Sequence, residues 1–366
     1  MESAHQVIRE GIGDLTNAAP ARAGVLTFGE IHTGLLQNST PLSSARVSAL
    51  LDLVVGERVR RFERPIAHVV SPDRLDGVDC CLPSAANRGT QAIGTVVHHL
   101  SVTGGHIVQG SAHTAIDPVL RDGLRQPWSY YLARPGTLEP INKVNLADVV
   151  DGFLAGAPRP GVLDVGAISA RAIDRIQSSK LLDRKRPFLS SRAMLRWAAV
   201  PAAGGENSAS FGIESPTART LLLRLDPALA ETLPVDAVRT FCETLALHDW
   251  LLTTILSLLD RSLETPGNRP RLAAKLHPAV EFLMHLWMPE ARVDPVLLPL
   301  WEAVDHRSSL SKQWRTSVDR IRDQLNLSTM ALLEASVEAA ERAVVVATET
   351  TAALERIRPG SPPAAA

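Results

Sequence analysis

The spacing of apolar residues changes along the chain and divides it into two parts. Between residues 25 and 225, short apolar runs separated by turn residues predict strands with a few helices. Beyond Pro234 the apolar residues recur at helical spacing, and from Val238 to Leu263 they form a stripe wide enough for a central bundle helix. The pattern predicts an α+β fold, in which a mixed, strand-rich N-terminal part is followed by an all-helical C-terminal bundle.

The distribution of glycine and proline indicates the same division. Of the 23 glycines, 21 lie at or before Gly212, and neither glycine nor proline occurs between Leu300 and Arg358. Glycine supplies the positive-φ positions that turns need, whereas a long segment without either residue favours helix. The predicted organisation is a flexible N-terminal lead over 1–20, a mixed α/β domain over 21–229, a helical domain over 230–358 and a disordered tail over 359–366.

Local signals predict the individual elements of both parts. The predicted strands are 25–36 (one strand or a pair), 78–82, 91–102 paired with 106–116 as a hairpin, 127–133, 161–165, and a meander of 193–200, 209–214 and 220–225. The predicted helices of the first part are 41–54, 144–154 and 169–178. Beyond the 238–263 helix, further helices are predicted at 278–287, 295–304, 311–325 and 328–357.

The last predicted helix carries a heptad pattern. Its apolar seam advances by alternating steps of four and three residues through Leu333, Val337, Ala340, Val344, Ala347, Thr351 and Leu354. A helix of about 30 residues spans roughly 45 Å, which exceeds what a compact helical domain of this size needs to cover its own core. We therefore predict that the seam is an interaction surface. Its partner is either the 245–263 helix of the same chain or a helix of a second protomer or another protein.

The predicted hairpin contains candidate catalytic residues. A two-residue turn at Gly104-Gly105 places His113 opposite Val96 and His98 opposite Ser111. In that register His98 and His113 lie on one face as diagonal neighbours, roughly 7 Å apart at Cα. Such a pair could hold a metal or exchange protons if further Asp, Glu or His side chains converged on it. The alternative is that both are surface or half-buried polar residues without a chemical role.

A second histidine lies next to an aspartate in the longest apolar helix. An adjacent His-Asp pair on a helix also occurs in HD phosphohydrolases, but those enzymes need another helical histidine upstream. The nearest upstream histidine of His248-Asp249 is His113, in a predicted strand. We therefore favour the interpretation that His248 or Asp249 bonds a neighbouring helix or faces the other domain, since buried polar groups are normally hydrogen-bonded.

Basic residues concentrate in one short segment. Arg58, Arg60, Arg61 and Arg64 surround Phe62, and a nucleic-acid phosphate could bind there. Acidic residues are interspersed, the formal net charge is −1, and 33 of the 38 basic residues of the whole chain are arginines. These features make nucleic-acid binding a weak alternative to a solvated surface. No phosphate-binding glycine motif and no GxSxG motif occur in the sequence, so we predict no cofactor.

The cysteines and the apolar runs indicate in which cellular compartment the protein is expected. Three cysteines, two of them the adjacent Cys80 and Cys81, cannot form a full disulfide framework. The first 13 residues contain acids and no long apolar core, and the most apolar run, 245–259, is too short to span a bilayer. We therefore expect a reduced, cytoplasmic protein with no membrane partner.

Several segments together resemble an uncharacterised family of Streptomyces and related actinobacteria. They are VLTFGEIHTGLLQNS (25–39), RPIAH (64–68), TGGHIVQGS (103–111), PWSYYLARP (127–135) and LALHDWLLTT (245–254). The resemblance covers about residues 24–260 and carries no established activity. Its members tend to be encoded beside a variant P-loop protein and a predicted methyltransferase. The resemblance therefore implies one component of a multi-protein system, with a P-loop protein as a candidate partner.

These observations favour a non-catalytic scaffold or regulatory subunit that acts by protein–protein contact. The long seam supports this hypothesis, and so does the lack of a catalytic motif. Two alternatives stay open. One is a metal- or acid/base-dependent enzyme that uses the hairpin histidines, and the other is a weak nucleic-acid-binding module that uses the Arg58–Arg64 region.

Overall fold

The computed structural model describes residues 26–86, 89–117, 125–156, 159–263 and 269–357. Within these residues the strands come first and the helices dominate the second part, which confirms the α+β prediction. The last described strand ends at Leu225, and the chain after Val235 is mainly helical, as predicted. The predicted lead over 1–20 and the predicted tail over 359–366 lie outside the described residues.

Ten strands of the described residues form one mixed sheet. They are β1 Leu26–Leu35, β2 Arg60–Phe62, β3 His68–Val70, β4 Arg74–Cys81, β5 Gln91–Thr103, β6 Ile107–Ile116, β7 Thr137–Pro140, β8 Ala193–Pro201, β9 Ser208–Ser215 and β10 Ala218–Leu225. Their order across the sheet is β2-β3-β5-β7-β6-β1-β8-β10-β9, with β4 paired to the first part of β5 and β5 also paired directly to β6.

The α-helices are numbered in chain order. They are α1 Ser44–Leu51, α2 Trp128–Leu132, α3 Leu146–Ala155, α4 Val165–Gln177, α5 Pro227–Thr232, α6 Val235–Leu263, α7 Arg269–Phe282, α8 Leu298–Ser308 and α9 Leu310–Ile357. Short 3-10 turns at Met284–Leu286, Pro289–Arg292 and Pro295–Leu297 connect α7 to α8. None of the described helices is both long and apolar enough to cross a bilayer.

Helices cover both faces of the sheet. Because side chains alternate along a strand, Trp197 of β8 packs in one apolar core with Phe241 of α6, while its neighbour Ala198 packs on the opposite side with Phe153 of α3. The core under α6 contains residues from β1, β8, β10 and the C-terminal helices alike. The strands therefore stop near the predicted boundary at 230, but the hydrophobic core continues across it.

Two local predictions of the strand-rich part are wrong. The segment predicted as a strand at 127–133 is the short helix α2, which begins directly after Pro127. The three strands beyond residue 193 are not a meander, because β10 lies between β8 and β9 and runs parallel to β8. The apolar run Leu221–Leu223 is buried on both faces, which suits an inner strand, whereas β9 is partly exposed and takes the edge.

Two predicted helices are one. The chain from 310 to 357 forms the single 48-residue helix α9, although we predicted a break near residue 326. Neither glycine nor proline interrupts this segment, and Ser328, expected to start a new helix, lies inside the continuous one. The strand predicted at 161–165 is reduced to a single bridge between Cys81 and Val162.

Candidate functional site

The hairpin forms as predicted, but with a different register. Thr103 pairs with Ile107, so the turn contains three residues: Gly104, Gly105 and His106. Both glycines have positive φ, 59° and 74°, and a Cβ on Gly105 would lie 2.2 Å from the carbonyl oxygen of Leu42. The extra turn residue shifts the pairing by one position.

The shift separates the two candidate catalytic histidines. His98 lies opposite Ala112, and His113 lies opposite Val97. Because side chains alternate between faces, the two imidazoles project from opposite faces of the sheet. The predicted shared face is therefore wrong, and the structure does not bring His98 and His113 together.

Each candidate has its own surroundings. His98 lines a cavity of about 250 Å³ on the α4 side, where its Nε2 atom lies 3.7 Å from Asp76 Oδ1. Burial lowers the pKa of His98, although the Asp76 carboxylate opposes this. His113 lies on the α6 side against Trp197, and burial together with Arg239 lowers its pKa to about 4. His98 therefore has one carboxylate beside it, that of Asp76, but His113 on the opposite face does not share it.

A third hairpin histidine, which we did not single out from the sequence, lies in a second polar cavity. The Nε2 atom of His99 is 2.9 Å from Glu243 Oε1, and its Nδ1 atom is 3.2 Å from an NH1 donor of Arg239. A guanidinium nitrogen can only donate, so Nδ1 accepts and the ring proton lies on Nε2, facing Glu243.

Glu243 and Arg239 occupy one face of α6, one turn apart. Both are buried, and Arg239 Nε lies 3.7 Å from Glu243 Oε1. Burial by itself would raise the pKa of Glu243, but His99, Arg239 and Arg292 outweigh it and hold this pKa below its ordinary value. Arg239 also approaches Asp236 at 3.2 Å and Asp73 at 3.4 Å, so its charge is balanced by nearby carboxylates.

These groups line a cavity of about 270 Å³ between the β2–β3 edge of the sheet, helix α6 and the turn at Pro289–Arg292. We call it the arginine cavity. Its polar lining consists of Arg60, Arg64, His68, His99, Thr103, Arg239, Thr240, Glu243, His248 and Arg292. Its apolar lining includes Phe62, Ile66, Val70, Leu247, Leu286 and Met288.

His68 and Arg292 form a pair at the wall of the arginine cavity. Arg292 NH2 donates to His68 Nε2 at 3.0 Å, and His68 Nδ1 lies 2.9 Å from Thr103 Oγ1. Since Nε2 accepts from a guanidinium, the proton of His68 lies on Nδ1 and is donated to Thr103. Burial first, and then the charge of Arg292, lower the pKa of His68 to about 3. His68 is therefore neutral and cannot balance the charge of Arg292.

His248 and Asp249 have separate structural roles. His248 Nδ1 donates to Thr244 O at 2.7 Å, its Nε2 accepts from the Met288 amide, and burial lowers its pKa to about 4. Asp249 instead pairs with Arg219 of β10 at 3.0 Å. Neither bond goes to a neighbouring helix: His248 contacts the connection between α7 and α8, whereas Asp249 faces the sheet of the first part, which was the second form of the favoured interpretation. Across the described residues, no group of three or more His, Cys, Asp or Glu side chains could hold a metal ion.

The predicted seam lies on an exposed part of α9. The first part of the helix packs on the body through Trp314 and Ile321, but residues 332–354 are all exposed. Leu333, Val337, Val344 and Leu354 are 62%, 58%, 63% and 65% exposed. The 245–263 segment of α6 therefore does not cover the seam, and this intramolecular alternative is wrong.

Comparison of the chain with protein-family models, with curated proteins and with solved structures found no match.

Proposed function

We propose that this protein is a non-catalytic scaffold or regulatory subunit that binds another protein through the exposed seam of α9. The observation that carries the proposal is the row of large apolar side chains, each more than half exposed, at heptad positions of a helix that projects beyond its own core. Residues scattered singly on a surface need no explanation, but a continuous apolar stripe on a helix is typical of a helix–helix interface.

The charges beside the seam indicate what kind of helix would fit. Residues 331–354 contain four glutamates, two of which, Glu334 and Glu341, lie at the e positions that flank the seam, and one arginine, Arg342. Flanking charges of this kind set the choice and orientation of a coiled-coil partner. A partner helix with lysine or arginine beside its own seam would complement them. The family resemblance makes a P-loop protein of an actinobacterial multi-protein system one candidate.

The small residues of the seam lower the affinity that we expect between the seam and a partner helix. Ala340, Ala347 and Thr351 allow a neighbouring backbone to approach closely but bury little apolar area each. An isolated pair of such helices would associate weakly. Stable assembly would therefore need a second contact, which suits a subunit that joins a larger complex.

Replacing Val337 and Val344 together with glutamate should abolish this association. Burying two carboxylates at a helix interface without partners costs several kcal/mol, whereas the same substitutions in the free chain lie on the surface and should change its stability by less than about 1 kcal/mol. Sedimentation of the purified protein measures self-association. Mass spectrometry of the proteins that it retains from an extract of its native host measures partner binding.

The matched control is the pair Val345→Glu and Val346→Glu. These valines are also more than half exposed and lie on the same helix, but off the heptad seam. We expect the control to keep the partner that the seam variant loses. A wild-type protein that stays monomeric and retains the same proteins as the seam variant would contradict the proposal.

A further inference from the structure

The arginine cavity carries more positive charge than its own carboxylate can balance. Four guanidinium groups line it, those of Arg60, Arg64, Arg239 and Arg292, against the single carboxylate of Glu243. Arg239 lies at ion-pair distance from Glu243 and from two aspartates, Asp73 and Asp236. Within the described part of the chain, the other three arginines have no carboxylate at ion-pair distance. The cavity is therefore cationic at every ordinary pH, because guanidinium groups stay protonated.

Arg292 carries one of these unbalanced charges on a side chain that is mostly, but not completely, shielded from solvent. Its NH1 nitrogen is buried and has no hydrogen-bond partner among the described residues, while NH2 donates to the neutral ring of His68. Burial lowers the pKa of Arg292, and Glu243 only partly opposes this. A buried cation without a matching anion is costly unless a ligand supplies one.

Arg60 and Arg64 extend the same charge to the mouth of the cavity. Arg60 lies in β2 and Arg64 lies four residues further on, and both are exposed while also lining the cavity. Phe62, halfway between them in sequence, lines it too, whereas Arg58 and Arg61 do not. Within β2 this follows the alternation of an extended strand, in which Arg60 and Phe62 share one face and Arg61 projects from the other.

We propose that the arginine cavity binds a small phosphate monoester whose organic part is apolar or aromatic. A phosphate monoester carries close to two negative charges at neutral pH and three acceptor oxygens, which matches several guanidinium forks better than a single carboxylate does. The apolar lining of Phe62, Leu247 and Met288 provides contact surface for the organic part. A volume of about 270 Å³ limits the ligand to a small molecule.

Phenyl phosphate is a suitable probe, with inorganic phosphate and benzoate as comparisons, and calorimetry on the full chain measures binding. We expect phenyl phosphate to bind with a Kd below about 1 mM. Inorganic phosphate lacks the ring and benzoate carries one charge, so each should bind at least about 10-fold more weakly. Absence of saturable binding by phenyl phosphate would overturn the proposal, and so would equal binding by benzoate.

Two double variants distinguish phenyl phosphate binding at a defined site from general attraction to a positively charged surface. Arg60→Gln with Arg64→Gln removes two charges that line the cavity, whereas Arg58→Gln with Arg61→Gln removes two charges from the same segment that do not. All four residues are exposed, so both variants should fold. We expect the first pair to weaken phenyl phosphate binding at least about 10-fold and the second less than about 2-fold. Equal weakening by both pairs would overturn the site.

Arg292→Gln tests the buried guanidinium itself. Glutamine keeps an amide donor on a shorter side chain but carries no charge, so we expect phenyl phosphate binding to be lost while the melting temperature of the unliganded protein stays equal or rises. A purely structural arginine would give the opposite result, a lower melting temperature with binding retained. That outcome would overturn the role assigned to Arg292.

Discussion

Replacing Asp249 with alanine should lower the free energy of unfolding by about 3–5 kcal/mol, because it leaves a buried guanidinium without its counter-ion. Arg219 and Asp249 are both buried, and Arg219 Nε lies 3.0 Å from Asp249 Oδ2. The pair joins β10 to α6, and Arg219 is held further by Thr253 Oγ1 at 3.2 Å. Urea denaturation at neutral pH, followed by circular dichroism, measures the change.

Two controls isolate the buried charge. Asp319→Ala breaks an exposed ion pair with Arg322 on α9 and should cost less than about 1 kcal/mol. Arg219→Met combined with Asp249→Leu removes both charges and should recover most of the loss. Burial raises the pKa of Asp249 in spite of the stabilising effect of Arg219, which indicates that desolvation outweighs the ion pair. If Asp249→Ala costs no more than Asp319→Ala, the pair does not join the two elements as described.

Local sequence signals were sufficient for the architecture but not for register. A long segment without glycine or proline can hardly be other than helix, and α9 follows that rule. The hairpin was also recognisable, but its turn length depended on a contact distant in sequence. His106 lies in the turn, and its Nε2 atom is 2.7 Å from the carbonyl oxygen of Phe282, at the end of α7. No local pattern reveals this contact. The predicted register was therefore off by one residue, and it assigned His113 to the wrong face of the sheet.

The residues of the arginine cavity also could not be placed together from the sequence alone. His99 and Glu243 are 144 residues apart in sequence, and only the packing of α6 on the hairpin brings them together. One signal was present: Arg239 and Glu243 are charged residues one turn apart within a stripe that is otherwise apolar, between Val238 and Leu245. Charged residues are rarely buried without a partner, so such a pair on a core-facing stripe points to a polar site. Arg292 and His68 gave no comparable signal.

The protein should be markedly less stable at mildly acidic pH. His68, His113 and His248 are buried, and their pKa values are lowered to about 3, 4 and 4. In the unfolded chain each titrates near 6.5, so between pH 6.5 and 4 the unfolded state binds more protons than the folded state. The stabilising effect is complete above pH 6.5 and is lost as the pH falls below it.

The size of the effect follows from the same linkage. At pH 5.5, one unit below the unfolded pKa, each neutral buried histidine accounts for about 1.4 kcal/mol, so the three together lower the free energy of unfolding by about 4 kcal/mol relative to pH 7.5. The lowered pKa values of His98, His106 and His285 act in the same direction. Urea denaturation at pH 7.5 and 5.5 measures the difference.

A pair of histidine variants assigns the effect to buried imidazoles. His248→Asn removes one group that must stay neutral, so the difference between the two pH values should shrink by about 1.4 kcal/mol, whatever the substitution costs at pH 7.5. His277→Asn removes a histidine that is 69% exposed beside Glu281 and should leave the difference nearly unchanged. Because the readout is a difference between pH values, lost packing at His248 cancels and only proton binding remains. Equal stability of the wild-type protein at both pH values would mean that these histidines bind protons as readily in the folded as in the unfolded state.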